Sequence, residues 1–292
     1  MKRLHENGRM NKEALKSMTA SLRRNPTILI IAAALVISLS MGIRSTFGLF
    51  QGPMTMELGF GREAFGFAMA LQNLLWGLFQ PLAGMVADRY GSGRVLFIGA
   101  IAYGAGLYGM SGIESTFGLN ISGGWMIGFG MAATSFSVVL GALGRLVPPE
   151  RQSVAFGIAS AGGSFGQFIM APIGQQMINS YDWNGALAIM GVLVCAIILS
   201  SLFLQSKASD TTASVDDAEA QTAAQQTMRA AIIEATTNRS YRFLTLGFFV
   251  CGFQVAFMTM HLPAYLQDAG MTTSTSAIAL ALIGFFNIIG TY

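Results

Sequence analysis

The run GMVADRYGSGR, residues 84–94, sets Asp88, Arg89 and Arg94 beside three glycines, between two long apolar stretches. Only 11% of the 292 residues are charged, against roughly a quarter in soluble domains, so this cluster marks a point where the chain leaves one solvent for another. The flanking stretches, Ala64 to Ala87 and Val95 to Gly112, are long enough for an α-helix to cross the hydrocarbon core of a bilayer. Read outward from this loop, the fold is decided by how often that pattern recurs.

It recurs along the chain. Apolar runs extend from Thr27 to Ile43, Phe117 to Leu143, Val154 to Ile178, Gly185 to Leu204, Phe243 to Pro263, and from Ala277 onward. The sequence therefore predicts seven whole spans and an eighth that stops at Tyr292. Lipid offers the backbone no hydrogen-bond partners, and runs without apolar/polar alternation suit helices and not the shorter strands of a barrel. The expected fold class is an all-α polytopic membrane protein.

Cations set the expected orientation. Lys2, Arg3, Arg9, Lys12, Lys16, Arg23 and Arg24 precede the first span; Arg89, Arg94, Arg145, Arg151, Lys207, Arg229, Arg239 and Arg242 fall in loops on the same side. The opposite loops carry only Arg62, which predicts a cytoplasmic N-terminus. The net charge of +3 is this bias, with no reason to expect nucleic acid. The first apolar run follows a long polar leader and is too long for a secretory signal core, so it stays in the protein. Cys195 and Cys251 sit inside spans as small fillers, with no disulfide or metal spacing.

Composition divides the chain into an N-terminal segment (1–26), a six-helix bundle (27–205), a polar cytoplasmic linker (206–240) with a weakly amphipathic stretch over 220–235, and a partial second bundle (241–292). The second bundle echoes the first. PMTMELGFGREAFGFAMAL from Pro53 aligns with PAYLQDAGMTTSTSAIALAL from Pro263 when one residue is inserted before the glycine, so that Gly59 matches Gly270 and Leu71 matches Leu282. Such a restart after six spans is the trace of parallel repeats in transporters. In the same register Gly84 corresponds to a position beyond Tyr292, so the expectation is a fragment of a twelve-span carrier.

Gly84, Asp88, Arg89 and Gly91 form GxxxDRxG, which resembles the loop between spans 2 and 3 of the major facilitator superfamily. There the pattern continues with paired cations; here Ser92 and Gly93 replace them and Arg94 keeps one charge. The resemblance implies that Asp88 joins a charge relay bracing two halves of a carrier. An anion at a helix C-terminus opposes the macrodipole, so a cation belongs nearby, and Arg145 is the candidate. Singly, Arg89 and Arg94 read as ordinary positive-inside anchors. PPERQSVAFGIASAGGSFGQFIMAPIG, residues 148–174, resembles the entry to span 5 of monocarboxylate transporters and oxalate/formate antiporters, with Arg151, Gly157, Gly162, Gly163 and Gly166 in the pattern. DWNGALAIMG at the start of span 6 resembles the same carriers. The span-5 glycines remove side chains where another helix approaches closely, for static packing or for sliding.

Arg44 interrupts span 1, and a cation inside the membrane costs at least about 2.5 to 3.5 kcal/mol. No Asp or Glu lies in an apolar interior to compensate it. Two readings stand: the guanidinium faces a water-filled path and receives an anionic substrate, or it snorkels to the headgroups. In span 2, Gln72, Trp76, Gln80, Gly84 and Asp88 recur every four residues, with Asn73 beside them. Amides in spans more often join helices than touch substrate. Thr134, Ser135 and Gln167 are weaker candidates of that kind. His261 is a candidate proton site, although a lone interfacial histidine commonly serves local hydrogen bonding. In monocarboxylate carriers the acidic proton carrier and its arginine partner belong to span 8.

These readings predict a secondary active transporter of a small organic anion, a monocarboxylate, by alternating access. Its site is Arg44, Gln72, Asn73, Trp76 and Gln167, gated by Gly84, Asp88, Arg89, Gly91 and Arg145. The alternatives are a transporter-like sensor, a nonfunctional truncated product, or a carrier of another solute. With His5 and His261 as the only histidines and no paired acids within a span, enzyme chemistry, a metal and a cofactor are not expected. Expected partners are the anion, the bilayer and a coupled proton or counter-anion; the expected location is a plasma membrane, in a bacterium the inner one.

Overall fold

The computed structural model describes residues 25–206 and 228–290. The cations from Lys2 to Arg24, and Lys207, lie outside the described residues. Helices account for nearly all of what is described, beginning with α1 (Pro26–Ser45) and α2 (Phe47–Leu58), which together make span 1. The junction at Thr46 is a tightened turn: the Thr46 hydroxyl donates to the Ile43 carbonyl at 2.7 Å and the Ser45 hydroxyl to the Gly42 carbonyl at 2.7 Å. Asn25 caps the start of α1 through a 3.0 Å bond from the Thr27 amide.

Span 2 is α3 (Arg62–Tyr90) and span 3 is α4 (Ser92–Ser111). Between them Gly91 takes φ 102°, a backbone region in which a side chain is strained, so the sharp reversal needs glycine there. Span 4 is assembled from α5 (Thr116–Leu119), a π-helical turn (Asn120–Met126), α6 (Ile127–Ala133) and α7 (Phe136–Leu146). The helix α8 (Pro149–Ser201) contains spans 5 and 6, separated at Asp182, where φ is 56°. Trp183 anchors that kink by donating from Nε1 to Glu57 at the end of α2, at 2.6 Å. Then come α9 (Met228–Thr237), α10 (Arg239–Asp268, span 7) and α11 (Thr273–Gly290, span 8). The expected amphipathic stretch over 220–235 is helical from Met228, its earlier part lying outside the described residues.

Six helical stretches among the described residues are long and apolar enough to cross a membrane. One of these is α8, which turns back on itself at Asp182, and α3 joins the set by its 29-residue length, its polar side chains lowering its hydropathy. The eight crossings expected from the sequence are thus eight helical segments of the all-α bundle. Small residues set the crossings. A methyl group at Gly162 would lie 2.9 Å from the Ala34 carbonyl oxygen, and one at Gly42 would lie 2.7 Å from the Gly166 carbonyl, so spans 1 and 5 touch backbone to backbone. Gly284 of α11 meets span 5 the same way: a methyl group there would lie 2.5 Å from the Phe168 amide nitrogen.

The two echoing stretches have the same local shape. Pro53 lies inside α2 and Pro263 inside α10, and the matched glycines Gly59 and Gly270 both end their helices with positive φ, 67° and 80°. Span 7 touches span 1 only toward this end: Thr259, Pro263 and Ala264 are its buried residues, Gly48 lies against the Thr259 and Met260 carbonyls, and the Arg239 half is exposed.

Candidate functional site

The splay between α10 and the six-span block leaves a cavity of about 900 Å³, walled by α3 on one side and α10 on the other, with Arg44 of α1 in it. Arg44 occupies the last turn of α1, where the negative end of the helix dipole favours a cation. Its Nη2 donates to Asn73 Oδ1 at 2.5 Å, and its guanidinium lies 4.9 Å from the centre of the Trp76 ring. Asn73 is itself fixed, donating from Nδ2 to the Met69 carbonyl at 2.8 Å. The guanidinium is therefore held toward span 2 and borders the cavity.

What Arg44 lacks is a carboxylate. Among the described residues no Asp or Glu comes within salt-bridge distance of it, and its Nε is buried without a hydrogen-bond partner, as is Nε1 of Trp76 beside it. A buried donor without an acceptor costs about 1 to 3 kcal/mol, more when charged. Chemically, the arrangement is a half-satisfied cation on the edge of a space large enough for a small organic molecule.

The span-2 stripe differs from the expectation by one residue. Asn73, Trp76 and Gln80 border the cavity, but Gln72 does not. It is buried on the neighbouring face and donates to the Gly123 carbonyl in the π-helical turn of span 4, at 2.7 Å. A strict interval of four drifts about 40° per step around a helix of 3.6 residues per turn, so the exposed stripe alternates three and four. Gln167 does not border the cavity either. Thr134 is tied to Ser40 at 3.0 Å in a buried node that Tyr103 completes by donating to the Ser40 carbonyl, and Ser135 pairs with Ser137. His261 does border the cavity, and also a smaller space toward the Arg62 end.

At the Asp88 end, Arg145 Nη1 donates to Asp88 at 2.5 Å and its Nε to the Ser206 hydroxyl at 3.1 Å. The residues that replace the paired cations make this junction. The Ser92 amide donates to the Ser206 carbonyl at 3.0 Å and its hydroxyl meets that of Ser206 at 2.8 Å, while a methyl at Gly93 would lie 2.7 Å from the Ser201 carbonyl. The ends of spans 2, 3, 4 and 6 are thereby joined. Gly84 has only ordinary space around it, and Arg89 is not part of this cluster: it is exposed, 5.5 Å from the Tyr90 ring. Nothing in sequence spacing pointed to Ser206.

At the opposite end Arg62 grips Asp268 with two hydrogen bonds, 2.6 and 2.7 Å, joining the start of α3 to the end of α10. Asp268 lies beyond the apolar run of span 7, and the hydrogen bonds from Arg62 hold its carboxyl below the usual range. Both partners are about half exposed.

Comparison with known proteins places this geometry. The chain is 26% identical over 235 residues to monocarboxylate transporter 12 of Rattus norvegicus, covering 73% of this chain and 48% of that protein. It is 22% identical over 260 residues to monocarboxylate transporter 4 of the same organism, covering 87% and 53%. The chain thus spans about half the length of the curated relatives it matches. Among solved structures, a D-xylose-proton symporter superposes with a TM-score of 0.59 at 14% identity, over 90% of this chain and 66% of that one. A POT family transporter in complex with a thioalcohol-conjugated peptide gives 0.53 at 18%, over 84% and 52%. These two likenesses concern the fold alone. Residues 29–292 match the family description of the Major Facilitator Superfamily, and with the helical bundle and the Gly84–Gly91 loop already in view, the chain belongs to that family of transporters.

Proposed function

We propose that the protein is a secondary active transporter of a small organic anion, a monocarboxylate, working by alternating access between two six-span halves. The observation that carries this reading is Arg44: a guanidinium at a cavity, oriented by Asn73 and Trp76, with no carboxylate partner among the described residues. A substrate carboxylate supplies the missing charge and, through two oxygens, suits a planar fork of N–H donors. That the relatives are monocarboxylate transporters supports the same class.

Alternating access needs contacts that break and form at the two ends. The Arg62–Asp268 pair joins spans 2 and 7, so it is a contact of the Arg62 end that breaks when that end opens. Asp88, with Gly84, Arg89, Gly91 and Arg145, forms the gating region of the opposite end, where the Asp88–Arg145 pair sets the shape that the second half must meet. His261, between the cavity and the Arg62 end, is the candidate proton site, with Arg44, Arg62, Glu63 and Asp268 the charged residues bordering the same spaces. The protein resides in a plasma membrane with its N-terminus cytoplasmic, the orientation that its cation-rich loops favour.

Uptake of labelled carboxylates by the full-length protein in proteoliposomes tests the reading. Arg44→Gln is expected to abolish uptake while the purified variant elutes as folded protein. Normal uptake by that variant contradicts the site.

A further inference from the structure

Span 4 is irregular where span 2 crosses it. Between Asn120 and Met126 it widens into a π-helical turn, and the Ile127 amide, which in an α-helix would bond to the Gly123 carbonyl, bonds instead to those of Ser122 and Gly124. The Gly123 carbonyl accepts from the side-chain amide of Gln72 at 2.7 Å, and Gln72 is 1% exposed. The two spans touch closely there: a methyl group at Gly124 would lie 2.9 Å from the Leu71 side chain, and one at Gly128 would lie 2.9 Å from the Gln72 carbonyl oxygen. Such π-helical turns are uncommon and are frequently found at functional sites.

Gln72 and Asn73 are successive residues, about 100° apart around the helix axis. One holds span 4 and the other holds Arg44, so the bond on the first face fixes the rotation that aims the second. The tolerance is small. Turning span 2 by about 20° carries a Cα roughly 0.8 Å sideways and a side-chain tip further, enough to break a hydrogen bond. Met69 couples the same two faces: a methyl group at Gly123 would lie 3.3 Å from the end of its side chain, and its carbonyl receives the Asn73 amide at 2.8 Å. Span 4 also holds the helix that carries Arg44. The Thr134 hydroxyl bonds with that of Ser40 at 3.0 Å, and Ser40 lies one turn before Arg44 on α1. Arg44 and Asn73 are thus both mounted on span 4, through contacts that lie wholly within spans 1, 2 and 4.

We propose that Gln72 is the positioning residue of the Arg44 site: by bonding to the π-helical turn of span 4, it fixes the rotation of span 2 at which Asn73 meets the guanidinium. This rests on the anion-carrier reading and adds to it what sets the geometry of the cation. Gln72 does not border the cavity and acts through Asn73. Its effect on substrate affinity therefore disappears when Asn73 is gone.

The test uses the full-length protein in proteoliposomes with labelled lactate, pyruvate and formate, kinetics being taken on whichever acid the wild type moves fastest. Gln72→Met keeps the length of the side chain and removes the donor; it is expected to raise KM about five-fold with kcat within about two-fold of wild type. In the Asn73→Leu background the same change is expected to alter KM by less than about two-fold, because the residue through which it acts is absent. Gln72→Asn keeps the amide one methylene short of the carbonyl, guards against failure of Gln72→Met to fold, and is expected to give the same pattern. A KM unchanged in both Gln72 variants, or a Gln72→Met factor retained in full on top of Asn73→Leu, makes Gln72 ordinary packing between spans 2 and 4 and overturns the proposal while leaving the anion carrier intact. If the wild type moves none of the three acids, or Arg44→Gln moves them as well as the wild type does, the underlying reading falls with it.

Discussion

Arg145 and Arg44 are both conspicuous cations of the six-span block, and they are treated in opposite ways. Arg145 ends span 4 with a carboxylate and a hydroxyl of the protein itself, Asp88 at 2.5 Å and Ser206 at 3.1 Å. Arg44 lies mid-span with an amide and an indole face and no carboxylate partner among the described residues; each arginine keeps one buried nitrogen without a hydrogen-bond partner, Nε of Arg44 and Nη2 of Arg145. The first site has its counter-ion within the protein. The second has no carboxylate partner among the described residues, and the proposed substrate anion is placed there for that reason. A fold in lipid has strong reason to neutralise internal charge, so a cation left without its counter-ion is the more informative of the two.

The largest expected effect lies at the second site. Arg44→Gln is expected to lower carboxylate uptake by at least about 30-fold, since removing one partner of a desolvated charged pair costs roughly 2 to 5 kcal/mol. Arg44→Lys keeps the charge and loses the planar fork, so an intermediate rate would sharpen the comparison, and a wild-type rate would break it. Next comes the residue that aims the guanidinium. Asn73→Leu is expected to raise KM about ten-fold with kcat little changed, by analogy with loss of a hydrogen bond to a charged group. An unaltered KM would mean that Trp76 alone is enough to hold Arg44.

At the first site the effect is smaller and of another kind. Asp88 is 59% exposed and Arg145 13%, so their ion pair contributes at most about 1 kcal/mol. Asp88→Asn is accordingly expected to slow turnover about five-fold and leave substrate affinity unchanged, measured as kcat against Kd. A change in Kd with turnover intact would reverse the roles assigned to the two arginines. Smallest is the exposed Arg62–Asp268 pair. The Asp268 carboxyl is held below its usual value, so the pair is intact at neutral pH and is lost only as pH falls through that lowered value. Asp268→Asn should leave thermal stability at neutral pH indistinguishable from wild type, and uptake at neutral pH should not vary through this pair.

The sequence made the spans legible because lipid imposes a length and an apolar character that no packing detail overrides. It made Arg44 legible for the same reason, since a charge in such a run stands out. Asp88–Arg145 was foreseeable from topology, because alternate loops must share a side. What could not be read was rotation about a helix axis. Gln72 and Asn73 are neighbours in sequence, yet one is consumed by the Gly123 carbonyl of a π-helical turn and the other meets Arg44. The docking of Ser92 and Gly93 on the end of span 6 was hidden too, because it depends on where that helix stops and not on any motif.

The most direct measurement is the binding of a monocarboxylate to purified full-length protein by calorimetry, wild type beside Arg44→Gln, in a buffer free of other organic anions. The account predicts a saturable heat for wild type that vanishes in the variant while its thermal unfolding stays near that of wild type. Equal binding by both proteins would contradict it.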